Sequence, residues 1–291
     1  MDRIKIFSKG WNFSQDGPGN RLLYHFQGCN LFCPWCSNPE GIAVQGVMLF
    51  NPDKAPDAVC PHGAIRDKML DRSVCSTCID QLCLNKNRNE GIRWSAKEYS
   101  IDALTDEIEN AKSLFHSGGG VTVTGGEPTL QFAPLKQLLS KIKDIQVNTA
   151  IETNGTCDRL PELFEFVDTL IIDFKHYDTA VHKKRLGTGN EKVIGNLEKA
   201  SDYNGFKVWI RIPLIPDFND TPDDIRQFIG RLTGYNRDHV SVELLTYHEY
   251  GKVKWEQAGM PYTVQSKKIA IETVKKYREW FAASHFKIIN T

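Results

Sequence analysis

The chain has 291 residues, of which 41% are hydrophobic, and this length is enough to bury the core of one large domain or two small ones. Its 36 Lys and Arg residues balance its 36 Asp and Glu residues with the two signs interspersed, which excludes the basic excess typical of nucleic-acid-binding proteins and of clamps for anionic membranes. No apolar run of about 18 residues and no signal-peptide pattern is present, which predicts a cytoplasmic protein without a membrane span.

In chain order, the apolar pattern predicts strands that alternate with amphipathic helices. The predicted strands are 22–27, 121–124, 147–152, 169–174, 207–212 and 240–246. The predicted helices lie near 100–117, 132–143, 160–167, 191–203, 222–233 and 264–284. This alternation indicates an α/β fold with parallel strands, either an open doubly wound sheet or a partial barrel. In both layouts, ligands bind at the carboxyl ends of the strands.

Three cysteines follow the first predicted strand in the run GCNLFCPWC, namely Cys29, Cys33 and Cys36. Their spacing would place them on one face of a helix, but Pro34 disfavours a helix there, so we expect a loop that wraps a metal cluster. Three thiolates can hold a [4Fe–4S] cluster and leave one iron open for a substrate. A structural zinc ion would need a fourth ligand, which His25 could supply only awkwardly.

A second group of four cysteines lies in the stretch 45–92, which we expect to be a small inserted domain within a main domain of residues 1–44 and 93–291. These are Cys60, Cys75, Cys78 and Cys83. The first is followed by proline, as in the fourth position of a bacterial ferredoxin motif, and the other three match the first positions of a second motif. The insert thus keeps the ligands of one ferredoxin-like cluster, although four cysteines also suit zinc. The eighth cysteine, Cys157, is predicted to be a buried apolar residue.

Polar motifs follow four of the predicted strands: TGGEP, ETNG, DFK and YHEYG. Each motif alone is equally consistent with an ordinary turn or a solvated strand end. Together they would converge on one rim of the sheet and suit a zwitterionic ligand that carries a ribose. The glycines Gly125 and Gly126 would let the backbone approach that ligand closely. Near the N-terminus, the run DGPG at 16–19 is in isolation a Pro-Gly turn.

The cysteine motif, with Trp35 before its last cysteine, resembles the signature of the radical S-adenosylmethionine (radical SAM) superfamily, and TGGEP resembles its GGEP motif. The resemblance implies a partial (β/α)6 TIM-type barrel with a small cysteine-rich, ferredoxin-like insert. It also implies that the open iron chelates S-adenosylmethionine, and that one electron from the reduced cluster cleaves the sulfonium bond to give methionine and a 5′-deoxyadenosyl radical. Gly125, Gly126 and Glu127 would bind the methionyl amino group.

Further runs resemble one branch of this superfamily, the glycyl radical enzyme activating enzymes. These runs are SQDGPGNR, CNLFCPWCSNPE, TGGEPTLQ, IETNG, DFKH, RIPLIPDFND and YHEYGKVKW. This resemblance implies that Lys175 and His248 contact the methionyl carboxylate and ribose near Asp173, and that Arg211 faces the pocket. It implies that Asn154 belongs to the cofactor site and that a monovalent cation binds near Glu152, Thr153 and Asp173. Finally, it implies that a loop receives the glycyl segment of the partner, formed by Asp16, Gly17, Pro18 and Gly19.

Two features depart from the pyruvate formate-lyase type of activating enzyme: Ser37 replaces a frequent histidine, and that type lacks the insert. We therefore expect an oxidoreductase that abstracts a hydrogen from a glycine of some other glycyl radical enzyme. The resemblance further implies a monomer that receives electrons from flavodoxin or ferredoxin. One alternative is a radical SAM enzyme that modifies a small molecule or peptide, which the lack of cysteines after Cys157 disfavours. The other alternative is a non-catalytic iron–sulfur or zinc module.

Overall fold

The computed structural model describes residues 3–13, 15–55, 60–86, 91–235, 237–265 and 267–290. Its strands are β1 (Arg3–Phe13), β2 (Asn20–Phe26), β3 (Met48–Phe50), β4 (Ile65–Arg66), β5 (Met69–Leu70), β6 (Ile92–Trp94), β7 (Lys97–Ser100), β8 (Gly120–Gly125), β9 (Asn148–Thr153), β10 (Thr169–Asp173), β11 (Lys207–Leu214), β12 (Val240–Thr246) and β13 (Lys287–Ile289). Its α-helices are α1 (Arg72–Ser76), α2 (Leu82–Lys86), α3 (Ile101–Asn110), α4 (Phe132–Asp144), α5 (Thr179–Leu186), α6 (Glu191–Asp202), α7 (Pro222–Leu232), α8 (Lys252–Ala258) and α9 (Ile271–Ala283). None of the described helices is long and apolar enough to cross a membrane.

One large sheet forms the scaffold, with the strand order β13-β12-β11-β10-β9-β8-β2-β1-β7. The six strands from β2 to β12 in this order run parallel to one another, as the alternating pattern predicted. The sheet is extended by parallel β13 at one edge and by antiparallel β1 and β7 at the other. It therefore stays open at β13 and β7, and the predicted α/β fold with a partial barrel is confirmed.

The main core lies between the parallel strands and the helices α3, α4, α6, α7 and α9. It includes fully buried side chains from successive strands, such as Tyr24, Val123 and Ile172. Six of the seven residues of β2 are buried, so side chains on both faces of this strand are covered. This burial explains why the parallel strands read as nearly continuous apolar runs.

Several boundaries differ from the predicted ones. The segment predicted as a helix near 160–167 is a 3-10 helix over Leu160–Phe166 that begins beside a proline. Helices α5 and α8 and strands β1, β7 and β13 were not predicted from the pattern. By contrast, α7 begins where a sequence signal places it, because Thr221 and Asp224 form a capping box around Pro222.

The described part of the insert is a small unit with its own apolar cluster. Strand β3 pairs with β6, and β4 pairs with β5 in a hairpin, both antiparallel. The cluster is separate from the main core and consists of Met48, Phe50, Ala55, Ile65, Cys83 and Ile92. A separate core supports the prediction that 45–92 is an inserted domain.

Candidate active site

The cysteine loop follows β2 and packs tightly against the turn after β8. Glu127 N donates to the Gly28 carbonyl at 2.7 Å, and Gly28 N donates to Gly41 O at 2.7 Å. A Cβ atom on Gly126 would lie 2.2 Å from Gly28 O, and Gly125 has a φ of +129°. The double glycine therefore allows a close contact between two backbone segments, and the predicted approach of a ligand to these glycines stays a prediction.

A cleft of about 190 Å³ opens at the carboxyl ends of the parallel strands. Eleven of the predicted site residues line it: Cys29, Cys33, Trp35, Cys36, Gly125, Gly126, Glu152, Asn154, Asp173, Lys175 and Arg211. The lining also includes residues that the motifs did not single out, namely Leu31, Ser37, Asn38, Ile42, Pro213 and Leu245. Residues from distant parts of the chain thus share one pocket, as the convergence argument predicted.

The three cysteines of the loop line this cleft, and two of them accept a hydrogen bond from a backbone N–H group. Leu31 N donates to Cys29 Sγ at 3.4 Å, and Asn38 N donates to Cys36 Sγ at 3.4 Å. Burial raises the pKa of each of the three thiols to about 12, so the thiolate form needs a bound cation to stabilise it. Three soft donors on one cavity wall, with N–H groups directed at sulfur, fit an iron–sulfur cluster. His25, considered as a fourth zinc ligand, is absent from the described lining of the cleft.

A charged pair also lines the cleft. Lys175 Nζ is 2.5 Å from Asp173 Oδ2, and their side chains are only 10% and 20% exposed. Burial alone would lower the pKa of Lys175, but Asp173 and Cys33 outweigh it and hold that pKa above its usual value. The ammonium group therefore stays charged and can attract a ligand carboxylate.

Arg211 lies at the centre of a buried network of carboxylates. Its guanidinium contacts Glu152 at 2.5 Å, Glu243 at 2.7 Å and Asp16 at 3.2 Å, with its own side chain 4% exposed. Desolvation raises the pKa of Glu152 to about 7, although Arg211 opposes this shift. Arg211 and Lys175 together contact four carboxylates, of which only Glu152 and Asp173 line the cleft.

Glu127 is fully buried and lies behind the cleft, outside its described lining. Its carboxylate accepts hydrogen bonds from Thr129 N, Thr129 Oγ1, Thr153 Oγ1 and Asn154 N at 2.5–3.0 Å. These contacts join the TGGEP turn to the ETNG turn. The predicted contact between Glu127 and a methionyl amino group stays a prediction.

His248 is likewise outside the described lining of the cleft. It is exposed and stacks on Tyr250 with ring centroids 4.3 Å apart. The structure therefore does not place His248 among the residues that line the cleft, and its predicted contact with a ribose stays a prediction.

Two arginines contact the DGPG loop and hold it in place. Asp16 Oδ1 pairs with Arg211, and the Pro18 carbonyl accepts from Arg21 Nη1 at 3.2 Å. Gly17 and Gly19 have φ values of +119° and +70°, which glycine adopts without strain. The loop thus contacts the same arginine that lines the cleft, which sequence reasoning did not foresee.

Helix α8 supports the cysteine loop from outside, a role that the sequence motifs did not reveal. Lys254 Nζ contacts Asn38 Oδ1 at 2.7 Å and Glu40 Oε1 at 3.0 Å. The same helix reaches the insert, because Arg72 donates to the carbonyl of Gln257 at 2.7 Å. Helix α8 therefore connects the cleft to the insert.

The cysteines of the insert line a second, separate cavity: Cys60, Cys75, Cys78 and Cys83. His62 lies at the same cavity, and its Nε2 is 3.0 Å from Asp80, which in turn contacts Cys78 Sγ at 3.1 Å. Cys157, by contrast, is half-buried and packs against the main core.

Comparison with known proteins agrees with this site. Residues 23–232 match the family model of the Radical SAM superfamily. The 4-hydroxyphenylacetate decarboxylase activating enzyme of Clostridioides difficile is 32% identical over 269 residues, which covers 87% of this chain and 84% of that protein. The choline trimethylamine-lyase activating enzyme of Oleidesulfovibrio alaskensis is 33% identical over 267 residues, which covers 86% of this chain and 85% of that protein.

Among solved structures, Streptococcus suis SuiB bound to precursor peptide SuiA has a TM-score of 0.56 at 15% identity, covering 92% of this chain and 48% of that one. This likeness concerns the fold alone. The chain belongs to the radical SAM superfamily and, within it, to the glycyl radical enzyme activating enzymes.

Proposed function

We propose that this chain activates a glycyl radical enzyme by abstracting a hydrogen atom from one glycine of that partner. The observation that carries this proposal is the cleft at the carboxyl ends of the strands. Cys29, Cys33 and Cys36 line it together with Lys175 and Asp173. When bound, a [4Fe–4S] cluster supplies one electron and an open iron to S-adenosylmethionine, whose reductive cleavage yields the abstracting radical.

The residues of the cleft have distinct tasks in this reaction. The three cysteines would hold the cluster, and the ammonium group of Lys175 would pair with the methionyl carboxylate of S-adenosylmethionine. Trp35 is 8% exposed and its ring packs at a tilt of 42° against Phe218 with centroids 4.9 Å apart, so it would shield the reacting atoms from water. The excess of carboxylates around Glu152 and Asp173 supports the predicted monovalent cation.

The glycyl segment of the partner would reach the cleft beside the DGPG loop. The Asp16–Arg211 pair supports this path, because it connects that loop directly to the cleft wall at 3.2 Å. The abstracting carbon must lie within van der Waals contact of the glycine Cα, so the loop must present a backbone rather than a side chain.

We also propose that the insert binds its own [4Fe–4S] cluster through its four cysteines. Support comes from the common cavity of these thiols and from Ala64 N, which donates to Cys60 Sγ at 3.4 Å. Zinc is the competing metal, and His62 beside Asp80 resembles the histidine–carboxylate pairs of zinc sites. Anaerobically purified protein with about eight irons per chain supports two clusters, whereas about four irons and one zinc would assign zinc to the insert.

The partner that we propose is a glycyl radical enzyme encoded beside this protein. The related activating enzymes are named for 4-hydroxyphenylacetate decarboxylase and choline trimethylamine-lyase, which suggests this class of partner without choosing its member. Flavodoxin or ferredoxin is the proposed electron donor, and the chain is proposed to act as a monomer.

The test combines the reduced protein, S-adenosylmethionine and candidate glycyl radical enzymes under anaerobic conditions. We expect a glycyl radical signal in electron paramagnetic resonance (EPR) spectra with the matching partner. The Lys175→Met variant should lose most of that signal, because the ligand carboxylate loses its cation. A modified small molecule or peptide, with no glycyl radical in any candidate partner, would contradict the proposal.

A further inference from the structure

Three side chains beside the cysteine loop form a closed ring of hydrogen bonds. Asn154 Nδ2 donates to Asn30 Oδ1 at 2.9 Å, and Asn30 Nδ2 donates to Thr156 Oγ1 at 2.7 Å. Thr156 Oγ1 then donates to Asn154 Oδ1 at 2.7 Å, which closes the ring. The ring joins the loop after β2 to the turn after β9.

The ring determines which way the amide of Asn154 points. Its oxygen accepts from Thr156 Oγ1 and also from Thr156 N at 3.1 Å, so a flipped amide would bring an N–H group against these donors. Asn154 is 5% exposed, and its backbone N–H donates to Glu127 Oε2 at 2.7 Å. Both the backbone and the side chain of Asn154 are therefore held in place.

The orientation directs an amide hydrogen at the sulfur of Cys29. An amide has two hydrogens, of which Asn30 Oδ1 accepts one. Asn154 Nδ2 also lies 3.9 Å from Cys29 Sγ, within reach of a long N–H···S contact. Among the residues that the structure describes, Cys29 has two N–H donors, Leu31 N and this amide, whereas Cys36 has one.

We propose that Asn154 is a positioning residue that raises the reduction potential of the cluster in the cleft, and that Asn30 and Thr156 hold its amide in the effective orientation. This inference rests on the proposed function, in which Cys29 is a cluster ligand. One electron from an external one-electron donor reduces the cluster and adds one negative charge, while no covalent bond forms or breaks. An N–H group directed at sulfur stabilises that added charge, and hydrogen bonds to the sulfurs are a known determinant of cluster potential.

The inference gives the ETNG turn a task beyond binding S-adenosylmethionine. Glu127 accepts a hydrogen bond from the backbone of Asn154, so the TGGEP and ETNG turns would both influence the cluster through the amide of Asn154. The consequence is that a weaker donor can reduce the cluster, because a higher potential lowers the energy that the donor must supply.

The test is a redox titration of the reconstituted protein, followed by EPR spectroscopy. Adding S-adenosylmethionine identifies the signal of the cluster with the open iron, so a second cluster in the insert does not interfere. We expect Asn154→Leu to lower the equilibrium constant for reduction about tenfold, which equals about 59 mV for one electron. Thr156→Val should lower the potential by a smaller amount. The conservative Thr156→Ser keeps the hydroxyl group and should have the potential of the wild type.

Unchanged potentials in both Asn154→Leu and Thr156→Val would overturn the inference. If Asn154→Leu fails to fold, the comparison of Thr156→Val with Thr156→Ser decides, and equal potentials in that pair would also overturn it. The proposed function fails separately: a protein that shows these shifts but yields no glycyl radical would keep the role of Asn154 and lose the role in activation.

Discussion

The indole nitrogen of Trp255 donates a hydrogen bond to the carbonyl oxygen of Cys36 at 2.9 Å. Trp255 is 1% exposed and lies on α8, more than 200 residues along the chain from the cysteine loop. This bond satisfies a backbone acceptor at the last cysteine of the motif. The C-terminal part of the chain therefore stabilises a loop that the N-terminal part supplies.

Replacing Trp255 with Phe should lower the free energy of unfolding by about 1–3 kcal/mol, because the Cys36 carbonyl loses its partner. Chemical denaturation measures this change. Val253→Ala on the same helix is the control, since Val253 is 58% exposed and its loss should cost under about 0.5 kcal/mol. Equal effects of the two changes would contradict the proposed support of the loop.

A methyl group at position 126 should disturb the cysteine loop. In Gly126→Ala, the new Cβ would lie 2.2 Å from Gly28 O and 2.7 Å from Gly41 O, so backbone must move. We expect a loss of about 1–3 kcal/mol in the free energy of unfolding and a lower iron content. The matched control is Gly230→Ala inside α7, where an added Cβ meets nothing within 4 Å and should stabilise the helix by up to about 1 kcal/mol. Full iron content in Gly126→Ala would show that the close contact is unimportant.

The buried network around Arg211 should be sensitive to loss of its cation. Arg211→Met leaves the carboxylates of Asp16, Glu152 and Glu243 without their shared partner. The free energy of unfolding should therefore fall by about 3–5 kcal/mol. Arg226→Met is the control: it removes an exposed ion pair with Asp223 and should lower the free energy of unfolding by under about 1 kcal/mol. Thermal or chemical unfolding of both variants tests this contrast. A similar small loss of stability in both variants would contradict it, because the buried carboxylates would then be able to bind protons instead of needing the cation.

The buried imidazole of His25 should make the stability of the protein depend on pH. Burial lowers the pKa of His25 from 6.5 to about 4, and its ring lies 5.4 Å from that of Phe7. Between pH 6.5 and pH 4, His25 is therefore protonated in the unfolded chain but neutral in the folded chain. The contribution of neutral His25 to the free energy of unfolding is complete above pH 6.5 and is lost as the pH falls toward 4. Between pH 7.5 and 5.5 the loss should be about 1 kcal/mol. His25→Phe should remove this part of the pH dependence, and an unchanged slope would contradict the assignment.

The parallel strands could be predicted because burial on both faces makes them apolar along their whole length. Strand β1 escaped prediction, since its second half is largely exposed and its sequence mixes polar and apolar residues without a clear period. Helix α5 escaped for a similar reason: its buried residues are only His182 and Leu186, which leave little apolar pattern. Secondary structure at the edges thus depends on tertiary contacts that local sequence does not encode.

In the candidate site, too, some features could be predicted from local sequence and others depend on tertiary contacts. Motifs at strand ends located Lys175, Asp173 and Glu152 on the cleft, because parallel strands bring their carboxyl ends to one rim. Motifs could not tell that Glu127 faces inward while His248 faces solvent, since both follow strands in polar turns. Contacts between residues far apart in the chain, as in the ring of hydrogen bonds at Asn154, follow only from the folded structure.

The central claim is that Cys29, Cys33 and Cys36 hold a cluster that cleaves S-adenosylmethionine. The most direct measurement is the formation of 5′-deoxyadenosine by the anaerobically reconstituted, reduced protein, with Cys33→Ser compared against Cys157→Ser. The account predicts that the wild-type chain and Cys157→Ser form this product and that Cys33→Ser forms none. Intact S-adenosylmethionine in the wild type, or equal product from Cys33→Ser, would contradict it.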